Sequence, residues 1–413
     1  MDGSGQRSGF SCVDEGGRLV KIVFYCKEGA CANIDNYLNL GVSGTVSAMI
    51  LASHGLTLLG HEVVVLNQSH SGFYQGTRHI QTYTPEEVAG HLGEIGPVDM
   101  FIANGWAGQI FLSVGVEAAT KIHWVHNFID QRPIERGIAN GQIDYVVCIS
   151  LNQLGTWWRS PAFSRVTNIP NCVDTESLME FAKRGSSENK IMFIGATRES
   201  KGFHDGLRLF LQFHARYPDY KFYVAGGANL HGSAGPLSAN GIFEREYEDR
   251  CLKEMLYDRN GTLRPEIVLL GRLPRSEVLR HLATTKIALV NPSWTSEPET
   301  FCISAVEAQG MGVPVVSTFR GGLPEVIQDG KSGILVKRRS DRSMVAAIER
   351  ITQDERLASE FSAQGRANVA ANFGVSRIAS EWDAKLREMN TGKPFRGNLL
   401  KAIRSKIRHK LRL

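Results

Sequence analysis

Short β-rich runs alternate with helix-length segments along most of this chain, and they do so in two series. The first series occupies residues 19–24, 62–66, 98–102, 122–125 and 145–149. The second occupies 190–194, 220–225, 267–270, 287–290 and 314–317. Strands that are apolar on both faces belong inside parallel sheets covered by helices above and below. Two such series predict two doubly wound α/β domains. The length of 413 residues agrees, being too great for one ordinary core. The polar, breaker-rich stretch 181–189 falls between the series and reads as the linker. The predicted organisation is a polar lead-in over 1–17, a first domain over 18–182 and a second over 190–375. A helix follows over 376–390, stopped by Thr391-Gly392-Lys393-Pro394, because proline disfavours helix in the residue before it. A basic tail over 391–413 ends the chain. The glycine-rich stretch 226–241 reads as an enlarged loop.

Charge matters here only by location. The formal net charge is +5, yet eight Lys or Arg and no Asp or Glu lie between Lys393 and Leu413. Without those eight of the 47 basic side chains, the 42 acidic ones outnumber the remainder by three. A mildly acidic body argues against nucleic acid as a partner, which needs a distributed basic face. The seven cysteines are odd in number and follow no metal or redox spacing. They predict a reducing, cytoplasmic setting and no metal site. No apolar run is long enough to span a bilayer, and the first residues lack the apolar core of a signal peptide.

In open parallel sheets, ligands sit beyond the carboxyl ends of strands, and polar residues collect there repeatedly. Residues 190–194 run into Gly195-Ala196-Thr197-Arg198-Glu199-Ser200-Lys201-Gly202. Residues 267–270 run into Gly271-Arg272-Leu273. Residues 287–290 lead to Glu299, and residues 122–125 end at His126. Lys201 and Arg198 offer cations to a diphosphate, which charge-assisted hydrogen bonds would hold. A solvated turn is the alternative for an isolated lysine, and the flanking glycines argue against it. Thr300-Phe301-Cys302-Ile303 is expected to open a helix whose free N–H groups suit a phosphate. Glu299 stands at the mouth of that helix and Glu307 about two turns inside. A carboxylate accepts two hydrogen bonds at once, so Glu307 suits vicinal ribose hydroxyls and Glu299 suits a sugar. For His126 a buried structural histidine is the other reading. Gly41-Val42-Ser43-Gly44-Thr45 precedes an apolar helix and could lend N–H groups, from Gly44 onward, to a phosphate.

Together these residues resemble the retaining glycosyltransferases of group 1, sequence family 4, which have the GT-B fold. Four features carry the likeness: Gly60-His61-Glu62-Val63, Ile169-Pro170-Asn171-Cys172-Val173-Asp174, the Lys201-Gly202 turn, and the Glu299/Glu307 pair. The resemblance implies two Rossmann-like domains facing a cleft, with the nucleotide-sugar donor on the second and the acceptor on the first. By position, His126, Lys201 and Glu299 would be catalytic. Lys201 would neutralise the diphosphate and Glu307 would hold the ribose. Glu299, with the N–H groups of Phe301 and Cys302, would hold sugar and phosphate, and the Arg272-Leu273 backbone would meet the base. Gly44, Gly195 and Arg198 would complete the donor site. Such enzymes need no metal and no cofactor. The chain departs from the pattern at Ala196, where arginine is usual, at Thr300-Phe301-Cys302 in place of Gly-Phe-Gly, and at Asn171-Cys172 in place of Asn-Gly. Arg198 is the candidate to replace the missing arginine.

The tail reads as a last helix capped by Asn398. At 100° per residue, Leu400, Ile403, Ile407 and Leu411 fall within an arc of about 80°, flanked by Arg404 and Lys410. That pattern suits a helix lying on an anionic membrane; a helix docked on the body or a disordered tail are the alternatives. The expectation is transfer of a hexose from a nucleotide-diphosphate sugar to a glycan or lipid-linked acceptor at the inner membrane face, as in polysaccharide or lipopolysaccharide assembly. A non-catalytic nucleotide-sugar-binding scaffold, favoured by Ala196, transfer to a small soluble acceptor, and a hydrolysing epimerase remain as other readings.

Overall fold

The computed structural model describes residues 19–27, 31–182, 188–228, 235–395 and 398–411. The expected lead-in over 1–17, the middle of the linker and part of the 226–241 loop lie outside them.

Two sheets form. The first contains β1 (Lys21–Tyr25), β2 (Glu62–Asn67), β3 (Gly72–Tyr74), β4 (Thr77–Gln81), β5 (Met100–Asn104), β6 (Thr120–Val125), β7 (Tyr145–Cys148) and β8 (Val166–Asn168). Its order is β3-β4-β2-β1-β5-β6-β7-β8. All pairs are parallel except β3 with β4. The second contains β9 (Lys190–Ile194), β10 (Lys221–Ala225), β11 (Ile267–Gly271), β12 (Ile287–Leu289), β13 (Val315–Thr318) and β14 (Gly333–Val336). Its order is β11-β10-β9-β12-β13-β14, parallel throughout.

The apolar runs fold this way because both faces of each strand are covered. In the first sheet Ile22, Phe24, Val63, Val65, Met100 and Ile102 enter one core, and Val23, Tyr25, Val64, Leu66 and Phe101 enter another. The core on the first face continues across to Met192, Ala288 and Val315 of the second sheet. Apolar contact therefore joins the domains.

Four strands were not expected from the sequence: β3, β4, β8 and β14. Each is short or lacks an unbroken apolar run, and β3 is half exposed to solvent. Gln75 and Gly76, both at positive φ, form the two-residue turn that joins β3 to β4.

The last part of the chain returns to the first domain. Helix Val375–Asn390 packs along helix Gly44–Leu58. Trp382 sits within 4.9 Å of Trp124, ring centre to ring centre, and Asp383 meets His61 Nε2 at 3.0 Å. Phe395 packs against Tyr145 with the ring planes inclined at 54°, and its N–H donates to Ser164 O at 2.8 Å. Helix Asn398–Leu411 then lies against helix Leu151–Thr156. The helix starts at Asn398, whose side-chain amide nitrogen donates to Val166 O at 2.8 Å and docks the helix start on the first domain. Asn398, Ala402 and Ser405 form the buried face, whereas Leu399, Leu400, Ile403 and Ile407 are exposed.

Candidate active site

The carboxyl ends of β9, β12 and β13 bring the donor-site candidates together. After β9 the chain turns through Gly195 and reaches Lys201 in a single 3-10 turn, Glu199–Lys201. Gly202 follows at φ +68°, and a Cβ there would lie 2.3 Å from Ser293 Cβ. Only glycine allows the turn to approach the segment after β12 so closely. That approach delivers the Lys201 ammonium to Glu299 Oε1 at 2.9 Å.

Asn291, directly beyond β12, donates to the same Glu299 oxygen at 3.1 Å and to Glu297 O at 3.1 Å. Ser296 Oγ in turn donates to Asn291 Oδ1 at 2.8 Å. The Glu299 carboxylate is thus held by a cation and an oriented amide. Burial disfavours the charged form of Lys201, but Glu299 outweighs it and raises the lysine above its ordinary value. The Gly321-Gly322 turn packs under the same segment. A Cβ on Gly321 would fall 2.2 Å from Glu299 O, and the Gly322 N–H donates to that oxygen at 2.7 Å.

Helix Ile303–Gly310 begins later than the sequence suggests, so Glu307 is little more than one turn inside it, not two. Cys302 is the residue before the helix, at φ +81° and ψ +77°. That left-handed conformation is costly for any side chain but glycine, on the order of 1–3 kcal/mol. The chain therefore keeps the backbone path that glycine usually supplies while carrying a thiol there. Burial, then the Glu299 charge, pushes the Cys302 thiol up to about 12, so it stays protonated.

The side chains of two candidates bind backbone carbonyl oxygens. The Arg198 guanidinium donates to Ala228 O at 2.7 Å and stands 3.9 Å from Glu244, on the side of the enlarged loop. Ala196 is fully buried. The Arg272 guanidinium is bound to Gly41 O of the first domain. Leu273 belongs to the same crossing, since a Cβ on Gly41 would lie 3.0 Å from its carbonyl oxygen. Gly44 opens its helix against Ile303, whose Cδ1 would meet a Cβ at 3.0 Å.

His126 is buried beyond β6, its ring 4.7 Å from Trp124, and its Nε2 has no hydrogen-bond partner among the described residues. Burial, with His123 adjacent, lowers it to about 3. Its imidazole is neutral across the physiological range, able to accept or donate a hydrogen bond but not to serve as a cation. Thr300 Oγ1 donates to His126 O at 2.7 Å, tying the helix mouth to the first domain.

Sequence reasoning missed four residues that organise this cleft. Asn291 orients Glu299. Arg275 forms an ion pair with Glu307 and donates to Ser47 Oγ at 3.1 Å. Glu325 receives the N–H groups of Leu151 and Asn152 at 2.7 and 2.6 Å, capping a first-domain helix from the second domain. Asn291 and Glu325 could have been noticed, one directly following an apolar strand, the other in Gly-Gly-Leu-Pro-Glu. Nothing local marks Arg275 or Ser47.

Residues 174–368 match the family described as glycosyl transferases, group 1. The chain carries the group 1 glycosyltransferase domain. Its two-domain architecture is the GT-B fold of such glycosyltransferases. It is 30% identical over 187 residues to a D-inositol 3-phosphate glycosyltransferase of Corynebacterium urealyticum, covering 44% of this chain and 40% of that protein. It is 20% identical over 268 residues to a glycogen synthase of Mycobacterium tuberculosis, covering 64% of this chain and 59% of that protein. The matched parts thus span less than two thirds of these curated relatives. Among solved structures, the sucrose-phosphate synthase of Thermosynechococcus elongatus superposes with a TM-score of 0.66 at 16% identity, covering 91% of this chain and 100% of that one. The Anabaena protein HepE in complex with UDP-glucose superposes at 0.64 and 14% identity, over 89% and 100% of the two chains. Identities this low speak to fold alone. Within this group 1 glycosyltransferase domain lie Lys201, Glu299 and Glu307.

Proposed function

We propose that this protein transfers a hexose from a nucleotide-diphosphate sugar to a hydroxyl of a glycan or lipid-linked acceptor, with retention of anomeric configuration and without a metal. The Lys201–Asn291–Glu299 cluster carries the reading. A departing diphosphate needs a fixed cation in a site already organised before reaction, and Lys201 supplies one beside a carboxylate suited to sugar hydroxyls. The N–H groups of Phe301 and Cys302 add positive potential at the helix mouth. In the proposed step the acceptor oxygen bonds to the anomeric carbon on the face from which the diphosphate leaves. The bond from that carbon to the diphosphate oxygen breaks, and the acceptor proton passes to the departing oxygen. Neutral His126 would hydrogen-bond the transferred sugar and not act as the acid. The Arg272-Leu273 backbone would meet the base and Glu307 the ribose. HepE, a fold neighbour, holds UDP-glucose, which supports a nucleotide-sugar donor here.

The acceptor side of the reading rests on the last helix. Its buried face is small and polar, while Leu399, Leu400, Ile403 and Ile407 face outward with exposed Lys401 and Arg404. An outward apolar stripe beside basic residues favours an anionic lipid surface. The helix is attached to the first, acceptor-binding domain, so the enzyme would work peripherally at the inner membrane face.

One observation favours a second reading, a nucleotide-sugar-binding scaffold: Ala196 lacks the usual cation and Arg198 is bound to Ala228 O. Thermal shift against a panel of nucleotide-sugars, followed by assay of nucleotide release with a membrane extract as acceptor, separates the two. A donor at 100 times its dissociation constant should stabilise by about 2.7 kcal/mol. Stabilisation without turnover would support the scaffold, and no stabilisation by any donor would defeat both.

A further inference from the structure

The inference that follows rests on the reading of Glu307 as the ribose carboxylate. That carboxylate is not bare. Arg275, the first residue of helix Arg275–Ala283, is ion-paired with Glu307 Oε1, and the two side chains are only 11% and 7% exposed. The same guanidinium donates to Ser47 Oγ at 3.1 Å, in the opening helix of the first domain. The Arg275 N–H donates to Leu40 O at 3.2 Å. Its guanidinium carbon lies 5.8 Å from the centre of the Tyr37 ring, and Tyr37 donates its hydroxyl proton to Asp174 Oδ2 at 2.8 Å. Arg275 therefore joins Glu307 of the second domain to Ser47, Leu40 and Tyr37 of the first.

A ribose arriving at Glu307 must either displace the guanidinium or share the carboxylate with it. Charge-assisted bonds are roughly twice as strong as neutral ones, and the pair is already largely out of water. Two hydroxyls do not displace that contact, whereas Glu307 Oε1 has no hydrogen bond beyond the ion pair among the described residues, so the carboxylate keeps lone pairs to share. We infer that Arg275 is a donor-positioning residue: it fixes the Glu307 carboxylate for ribose recognition and, through Ser47, links that recognition to closure of the cleft. The group 1 motifs quoted above do not include this position.

The test is calorimetric binding of UDP and 2′,3′-dideoxy-UDP to the full chain, with Arg275→Met, Arg275→Lys and Ser47→Ala variants. Arg275→Met should weaken UDP by about tenfold, as loss of a fixed charged hydrogen bond does. The preference for UDP over the dideoxy compound should shrink in the same variant, which a merely structural role would not produce. Ser47→Ala should weaken UDP by about threefold alone and have no further effect in the Arg275→Met background. If Arg275→Met does not fold, Arg275→Lys keeps the charge but loses the fork, and should show an intermediate loss of the same preference. Arg275 variants with the wild-type preference between the two nucleotides overturn the inference, whatever their melting temperature. A wild-type chain that binds no UDP, GDP, ADP or sugar derivative of them overturns the donor reading beneath it.

Discussion

Lys201 Nζ stands 2.9 Å from Glu299 Oε1, so the cation proposed for a diphosphate and the carboxylate proposed for a sugar form one ion pair. Removing the lysine takes the cation from Glu299 and leaves the Asn291 amide in place. Lys201→Ala should therefore lower the transfer rate by about a hundredfold or more, as loss of a fixed charge-stabilising donor does. Because Glu299 keeps the lysine pKa above its ordinary value, its charge should make no contribution to the pH–rate profile between pH 6 and 9. A rate loss below about threefold by nucleotide-release assay would mean that the diphosphate charge is met elsewhere.

The turn that aims Lys201 tolerates no side chain at Gly202. Gly202→Ala forces a Cβ into Ser293 at a positive φ. The expected cost is about 2 kcal/mol or more in unfolding free energy, with a weaker donor response in thermal shift. Denaturant unfolding with an unchanged midpoint would show that the close approach is not needed.

Three buried histidines predict the acid limb of stability. Burial lowers His79 to about 4, His123 to about 4 and His126 to about 3. In the unfolded chain each takes a proton near pH 6.5, so between pH 6.5 and 4 the unfolded state binds more protons and stability rises with pH. Their contribution is complete above pH 7 and is lost as the pH falls through that window, by on the order of 1 kcal/mol per pH unit for each. Melting temperatures should be flat from pH 7 to 8 and fall steeply toward pH 4.5. A flat profile down to pH 5 would contradict the burial of these rings.

The outer face of helix Asn398–Leu411 can be changed without touching its docked face. Combined Leu400→Ser, Ile403→Ser and Ile407→Ser substitutions should abolish sedimentation with phosphatidylglycerol vesicles. Exposed positions usually alter stability by no more than about 0.5 kcal/mol each, so melting should move little. Undiminished binding would remove the lipid-surface reading. Binding to phosphatidylcholine as strong as to phosphatidylglycerol would show that charge has no part in it.

Most of the architecture was legible because burial on both faces writes a continuous apolar run into a parallel strand. The ten expected strands appear with ends shifted by at most two residues. What was not legible depends on partners far apart in the chain. The Asn398 amide nitrogen docks on Val166 O, a partner 232 positions away in the chain that no local pattern reveals. Arg198 sits in the expected turn, yet Ala228 O draws its guanidinium toward the enlarged loop. Arg275 carries no local sign of its role, since both its partners lie on other elements. The glutamates were recognisable by spacing, but which atoms hold them was not.

The return of the chain to its first domain has a consequence for biosynthesis. Residues 188–372 make a continuous unit whose sheet is complete once β14 has been made. The first domain lacks Trp382 against Trp124, and Phe395 against Tyr145, until almost the whole chain exists. On a ribosome delivering residues in order, the later-made domain is thus the earlier one to be finished. A nascent chain stalled near Phe373 would carry a closed second domain joined to a first domain with its aromatic core still open.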